Sequence, residues 1–442
     1  MSSASGTIFR WPEPRCPSAF RLCCSFCSDG RREPPMAASS FPRRMLAASQ
    51  IALLLLTGGC WSNKEIETQS LEIAVAVDVP EPAASERELQ RKSPGVDRTD
   101  RITSTYQLIL PSLIGDIGGS TSDETSSSPF KNMTQTGDSL LENVRQLSLR
   151  TNAAPLGHHL KVIVIGDRLA RKHDLMTFLD FFFRDNDIRL SPLVLICKGK
   201  ASDTLEPLYK GDIPGFQIPE TVRNQYRNNK ILEPIRMYNL MSRLHAKTSF
   251  LLQNVVKTKE ELVYSGAAVI QGTSGRLIGF LTEKDMETVF WIKGGGRKGG
   301  LLKLDDPELG APLDMEINSV RSRIVPSMAD GRFAFRIELE AEGDLMESWS
   351  YKDAGRGGVS EAFYAEVEKK LERKLKGNAD LLIQKLQKTY GADAIGLYES
   401  VRVRMPKTWS RIHADWDRHF AEADITVSVS IALKGHGATE LT

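Results

Sequence analysis

Cys60 is the residue whose setting most clearly specifies a chemistry. It follows Thr57-Gly58-Gly59, and those small residues follow the apolar run Ile51-Ala52-Leu53-Leu54-Leu55-Leu56, with Arg43 and Arg44 upstream. Positive charge, a short apolar stretch and then small side chains is the order of a secretory signal peptide. The apolar stretch falls well short of the ~20 residues that span a bilayer. A cysteine directly after the small residues predicts a lipoprotein signal. Small side chains leave the backbone open to a processing enzyme, and the thiol is the nucleophile that takes the lipid.

Other groups carry less. Cys24-Ser25-Phe26-Cys27 has the spacing of half a zinc site, with Cys16 and Cys23 beside it. The surrounding segment is rich in Pro, Ser and Arg and lacks any helical or strand period, which argues against a folded metal site. His158-His159 precedes an apolar strand. Adjacent strand residues face opposite ways, and no acidic or cysteine partner stands at a fitting distance. The loop Gly294-Gly295-Gly296-Arg297-Lys298-Gly299-Gly300 matches a phosphate cradle in composition only. A phosphate loop needs Gly-Lys-Ser/Thr opening a helix after a strand, and here a helix precedes. There is no Gly-x-Ser-x-Gly elbow and no His-Glu-x-x-His. Asp415 and Asp417 fall in charged helical sequence and read as a solvated face. The expectation is therefore a protein that is not an enzyme, with no catalytic residue, metal or cofactor, and with Cys60 as its one modified site.

The chain has 442 residues, 41% hydrophobic and 26% charged, with a formal charge of +2. Residues 1–59 hold seven Arg and three acidic residues, a net +4, so the remainder carries −2. A near-neutral remainder gives no electrostatic case for nucleic acid. Cys16, Cys23, Cys24 and Cys27 precede the signal, and Cys60 and Cys197 follow or end it. Residues 1–35 are expected to be an upstream, non-native extension, with Met36 as the start. Residues 36–59 would then be the signal peptide. The mature chain would carry only the acylated Cys60 and Cys197, with no disulfide pair.

Hydrophobic spacing supplies the elements. Leu71, Ile73, Val75 and Val77 alternate as in a strand, and Ile102 to Leu110 pairs with it as a hairpin. Pro80 to Asp100 reads as loop. Asp138–Arg150 and Asp167–Phe183 have helical spacing; His159–Ile165 and Leu190–Cys197 are short buried strands. This order predicts an N-terminal α+β domain over 60–200. Leu262–Leu281 reads as a hairpin turning at Gly272-Thr273-Ser274-Gly275, followed by a helix capped by Thr282 with Asp285. These belong to a middle domain, 201–312. A C-terminal α+β domain, 313–442, opens with strands at Met315–Val325 and Arg332–Ala341. It continues with a long helix from Ser360 and a helix from Pro406 bearing Trp409, Ile412, Trp416 and Phe420, and closes on a strand at Ile425–Leu433. The fold class is α+β, about three domains, with mixed and antiparallel sheets and flanking helices. Phe181-Phe182-Phe183 and the Trp409–Trp416 stripe read as core.

The order of several stretches resembles the Ger(x)C family, the lipoprotein C subunits of spore germinant receptors. The stretches are Gly59-Cys60-Trp61-Ser62-Asn63-Lys64-Glu65-Ile66-Glu67, Gly157-His158-His159-Leu160-Lys161-Val162-Ile163-Val164-Ile165-Gly166, and Leu179-Asp180-Phe181-Phe182-Phe183-Arg184-Asp185 with Ile188-Arg189-Leu190-Ser191. Pro406-Lys407-Thr408-Trp409 and Asp415-Trp416 complete the set, and the resemblance runs collinearly from about Cys60 to about Lys434. It implies a three-domain protein held by a lipid on Cys60 at the outer face of the spore inner membrane. Its implied partners are the integral-membrane A and B subunits of the receptor, and its implied role is a non-catalytic scaffold in nutrient-triggered germination. Two other classes fit a lipid anchor: a solute-binding protein, marked by two similar α/β lobes, and a hydrolase, marked by a nucleophile–base pair. Neither mark stands out.

Overall fold

The computed structural model describes residues 69–82, 84–92, 101–109, 128–294, 299–306, 311–348 and 361–434. The chain divides into two units, 1–63 and 64–442, and every described element lies in the second.

The first sheet begins with β1 (Ser70–Asp78), paired antiparallel to β2 (Ile102–Ile109), itself antiparallel to β3 (Phe130–Gly137). Two-residue β4 (Pro155–Leu156) runs parallel to the start of β1. On the other side of β1 lie β5 (Val162–Gly166), β6 (Leu193–Cys197) and β7 (Phe250–Lys257), all parallel to it. Antiparallel β8 (Leu262–Ile270) and β9 (Leu277–Leu281) complete a nine-stranded mixed sheet. Residue 200, expected to end a domain, falls between β6 and β7, which pair.

The central strands are buried on both faces, which is why they read as continuous apolar runs rather than alternating ones. Val75, Val77, Ile163, Ile165, Val194 and Ile196 face one helical layer. That layer holds α2 (Leu140–Leu147), α4 (Leu175–Arg184) and α6 (Met237–Ala246). Ala74, Ala76, Val162, Val164 and Leu195 face the other side, where α5 (Pro214–Thr221) packs. Several elements differ from the sequence expectation. The loop expected over Pro80–Asp100 contains α1 (Ala84–Lys92). The single helix expected over Asp167–Phe183 is two, α3 (Asp167–Lys172) and α4. The break falls where Asp174 takes an extended conformation and its carboxylate accepts from Met176 N–H at 2.8 Å. A side-chain acceptor of this kind satisfies an otherwise unpaired N–H at a new helix start. β3 and β7 carry no expected counterpart: β3 is largely polar, and β7 is a buried run flanked by no turn signal.

The second sheet is β10 (Leu301–Asp306), β11 (Ala311–Ala329), β12 (Arg332–Ser348) and β13 (Asp424–Leu433), in that order. β11 and β12 form a long hairpin whose two loop residues, Asp330 and Gly331, both have positive φ, 49° and 76°. That pair of conformations matches the twist of the flanking strands, and Asp-Gly is the dipeptide that adopts it at least cost. β13 pairs in parallel with β12. Between them the chain makes α8 (Glu361–Gln384), a short π-helical turn at Lys385–Tyr390, and then α9 (Tyr398–Arg404), α10 (Pro406–Ile412) and α11 (Trp416–Ala421).

α7 (Glu283–Lys293) joins the two sheets. Its start is the expected capping box: Thr282 Oγ1 accepts from Asp285 N–H at 3.2 Å and Asp285 Oδ2 accepts from Thr282 N–H at 2.8 Å. Gly294, at φ 61°, ends it. Met286, Val289 and Trp291 of α7 share one apolar cluster with Leu251, Val269 and Leu281 of the first sheet and Met315, Phe333 and Phe335 of the second. A common core of this extent makes the two sheets one folded unit rather than beads on a linker.

Candidate functional site

Cys60, the expected lipid-bearing residue, lies outside the described residues, as do Cys16, Cys23, Cys24, Cys27 and positions 295–298 of the glycine-rich loop. His158 and His159 sit in a single 3-10 turn before β5 rather than on the strand. Burial, and then Lys161, push the His159 imidazole below its ordinary value, so it is neutral at pH 7. Among the described residues no group of three or more His, Cys, Asp or Glu could hold a metal ion. Cys197 is buried at the end of β6, and burial followed by the carboxylates Asp78, Asp203 and Asp167 pushes its thiol up to about 12. A thiol held protonated is a poor nucleophile. Phe182 is fully buried, with Phe181 and Phe183 packed around the same cluster, as core residues are.

The most developed polar arrangement is one that hydrophobic spacing does not show. Asp393 is completely buried and accepts four hydrogen bonds: Gly396 N–H at 2.8 Å, Leu397 N–H at 3.0 Å, Tyr398 N–H at 2.8 Å and Trp416 Nε1–H at 2.8 Å. Its carboxylate thus closes the start of α9 and pins it to α11. Burial raises its pKa above the ordinary value against the pull of these donors. Asp417 stands next to it. Its Oδ1 accepts from Asp393 N–H at 3.0 Å, and its Oδ2 accepts from Ser249 Oγ–H at 2.6 Å. Ser249 immediately precedes β7, and its Oγ also accepts from Gly272 N–H at 2.9 Å. The chain Gly272–Ser249–Asp417–Asp393–Trp416 therefore ties the β8–β9 turn of the first sheet to the helices above the second. The sequence expectation that Asp417 is solvated is wrong. The reason is that the helix expected from Pro406 onward breaks at residues 413–415 and turns Asp417 inward, while Asp415 stays exposed beside Arg418.

Aromatic rings complete the joint. Trp416 meets Phe333 edge-on at 5.5 Å and Trp409 at 5.5 Å, and Trp409 stacks on Tyr398 at 5.6 Å. Every acceptor of Asp393 and Asp417 faces a backbone, indole or hydroxyl donor. Asp393 uses all of its about four acceptor sites and Asp417 accepts one bond on each oxygen, and what such an arrangement does is align two halves of a fold. Asp393 stands five residues before α9, whose N-cap is Leu397, so a capping pattern does not reveal it, and sequence reasoning had no signal for Asp417 either.

A second buried carboxylate lies at the start of β1. Glu72 is 3% exposed and accepts no hydrogen bond among the described residues. Burial, reinforced by Asp185 and Asp187, pushes it up to about 8. The Tyr106 hydroxyl lies in its field, and burial with that charge raises the phenol above its ordinary value. In the sequence Leu71-Glu72-Ile73 the glutamate looks like the outward residue of an alternating strand. A register shift between Glu72 and Ala74 against β2 changes which residues share a face.

Comparison with known proteins places this architecture. The family described as "Spore germination protein N-terminal domain" matches residues 62–257, and "Spore germination B3/ GerAC like, C-terminal" matches residues 265–437. The first match ends with β7 and the second begins inside β8. "Spore germination protein YndF" of Bacillus subtilis (strain 168) is 37% identical over 402 residues, covering 90% of this chain and 98% of that protein. "Spore germination protein B3" of the same organism is 27% identical over 389 residues, covering 87% and 96%. The solved structure titled "Crystal Structure of the GerBC protein" superposes with a TM-score of 0.54 at 24% identity, over 77% of this chain and 96% of that one, and shows the same fold. With both halves matched in order, the chain belongs to the Ger(x)C, or GerAC-like, family of spore germination proteins.

Proposed function

We propose that this chain is the lipid-anchored C subunit of a nutrient germinant receptor. It acts in spore germination as a non-catalytic scaffold, on the outer face of the spore inner membrane, beside integral-membrane A and B subunits. The observation that carries the reading is the pairing of a family match spanning both halves with Cys60 directly after a signal-like run. The joint at Asp393 and Asp417 supports a scaffold, because its polar groups are spent on fixing one half against the other. No helix among the described residues is long and apolar enough to cross a membrane, so attachment in this reading falls to the lipid. One acyl chain holds a protein only marginally, whereas two anchor it. Cys60 as a diacylglyceryl thioether supplies two.

The test exchanges residues 1–60 for an ordinary cleavable signal and, separately, makes Cys60→Ala. The first protein should be soluble, with an unchanged thermal midpoint, and spores bearing it should fail to respond to nutrients. Cys60→Ala should carry no lipid by mass spectrometry and keep its leader uncleaved. Normal germination with the protein delocalised would sink the functional assignment of Cys60. A second reading, solute binding, draws on the groove of about 870 Å³ between α2 and α4, lined by Arg145, Phe178, Asp180, Asp185 and Asp187 among others. It would gain if nutrients that trigger germination raised the thermal midpoint of the isolated protein.

A further inference from the structure

α9 and α10 present an exposed basic face that no acidic side chain among the described residues pairs with. Arg404, Lys407 and Arg411 are exposed and form no ion pair among the described residues; the neighbouring Arg402 is paired with Glu399. Lys407 and Arg411 are four residues apart on one helix, where like charges repel. The remainder of the chain after residue 59 is net negative, so three unpaired cations within eight residues are a local concentration against the overall balance. Val403, immediately before Arg404, is 69% exposed. The face is also rigid, because Trp409 underneath is stacked on Tyr398 and set edge-on against Trp416.

The strand registers show which end of the molecule this face occupies. Val77, Ile165, Ile196 and Asn254 lie in one line across the parallel strands β1, β5, β6 and β7. Five residues back along each of the outer two, Glu72 is level with Ser249. Ser249 holds Asp417, so α9–α11 dock at the end of the sheet where β1 begins. Lys247, exposed at the end of α6, lies at the same end. β1 and β7 are three strand spacings apart, about 14 Å. Ten residues separate Cys60 from Ser70, so the chain between them spans at most about 35 Å. A lipid at Cys60 thus keeps this end of the sheet within a short reach of the bilayer.

We propose that the basic face of α9–α10, centred on Arg404, Lys407 and Arg411, docks on the anionic phospholipid headgroups of the membrane in which Cys60 is anchored. The inference rests on the lipid-anchor reading above. The lipid limits the distance, and the three cations fix which side of the molecule turns to the surface. Opposite charge within a Debye length, about 8–10 Å at physiological salt, supplies the attraction.

The experiment uses the full, lipidated chain with Ser410→Cys, an exposed position between Lys407 and Arg411. In the processed protein the remaining thiols are the acylated Cys60 and the buried Cys197, so a fluorophore attaches at one place. The labelled protein is bound to vesicles of neutral phosphatidylcholine, or of phosphatidylcholine with 30 mol% phosphatidylglycerol, each containing headgroup-quencher lipid. The expected result is sedimentation with both vesicles but quenching only with phosphatidylglycerol. That quenching should be reversed by 0.5 M salt and abolished by Arg404→Gln, Lys407→Gln and Arg411→Gln together, which should weaken docking by about 100-fold. Sedimentation with both vesicles and no quenching in either overturns the docking proposal while leaving the anchor intact. Equal quenching in both overturns it too, since charge is then not the cause. Quenching that appears only when the receptor's membrane subunits are added assigns the face to a protein partner and also overturns it. Sedimentation with phosphatidylglycerol alone, with quenching, supports docking and removes the anchor.

Discussion

Glu72→Gln should make this protein more stable, by an amount that depends on pH. The carboxyl sits 3% exposed at the start of β1, with Asp185 and Asp187 near it and no hydrogen bond among the described residues. Its pKa is raised from 4.5 to about 8. A group whose folded pKa lies above its unfolded value contributes most favourably below the unfolded pKa, and that contribution is lost as pH rises to the folded one. The window here is pH 4.5 to 8. At about 1.4 kcal/mol per unit, the full loss is about 5 kcal/mol, and about 3 kcal/mol of it has developed by pH 7. Glutamine has nearly the same shape and never ionises, so it escapes the loss. The variant should match the wild type near pH 4 and exceed it by about 3 kcal/mol at pH 7. In a unit of this size that corresponds to roughly 4 °C in midpoint. Urea denaturation followed by tryptophan fluorescence across pH 4–8.5 measures it. A constant offset between the two proteins at all pH values, or a variant weaker than the wild type at pH 8, would refute the assignment of a buried, unpartnered carboxylate.

Other outcomes follow from the same geometry. Asp393→Ala strands four donors, two of them in buried backbone, and should cost at least about 3 kcal/mol by denaturation, with loss of the near-UV tryptophan signal from Trp416. Ser249→Ala removes the hydroxyl that donates to Asp417 and accepts from the buried Gly272 N–H, and should cost about 2–3 kcal/mol, with the same fluorescence spectrum. Gly266→Ala should yield insoluble protein on expression, because at φ 71° its Cβ would stand 2.1 Å from the Leu281 carbonyl oxygen. Gly331→Ala, at φ 76° but with nothing within 4 Å, should fold and lose only about 1 kcal/mol.

The elements that the sequence makes legible are those whose burial is one-sided or whose ends carry explicit chemistry. The β8–β9 hairpin and the Thr282–Asp285 box each have a local cause that reads directly from residue type. The long helix from Ser360 is of this kind as well, but its pairing is not. Four-residue spacing in that helix pairs Glu366 with Lys370 and Glu372 with Lys376. Glu366 does reach Lys370 at 3.3 Å, whereas Lys376 pairs with Asp380 and Glu372 instead accepts from the Ile431 backbone. That partner is set by tertiary placement, so no helical spacing could show it. The same holds for the functional residues. Asp417 shares its composition with the exposed Asp415, and only the helix break at residues 413–415 separates a solvated carboxylate from one that holds two halves together. Glu72 was hidden by a bulge, which reassigns faces without changing a residue. β3 was hidden by its polarity, since Thr103–Thr136 and Thr105–Thr134 hydroxyl pairs, at 2.8 and 2.9 Å, take the place of apolar contacts.

The parallel pairing of β13 with β12 sets an order on how the second half of the chain assembles. Ten residues of β12, Ala334–Gly343, are matched one-to-one with Asp424–Leu433, about ninety residues later. Until that late segment emerges, β12 has a bare edge, and α8 lacks the backbone donors that Glu372 and Glu368 accept from Ile431 and Leu433. Contacts between such distant segments are slow to form. The architecture therefore delays completion of the shared core until Asp424–Leu433, near the end of the described chain, is available to pair. It also makes β12 the segment most exposed to wrong edge-to-edge pairing in the interval.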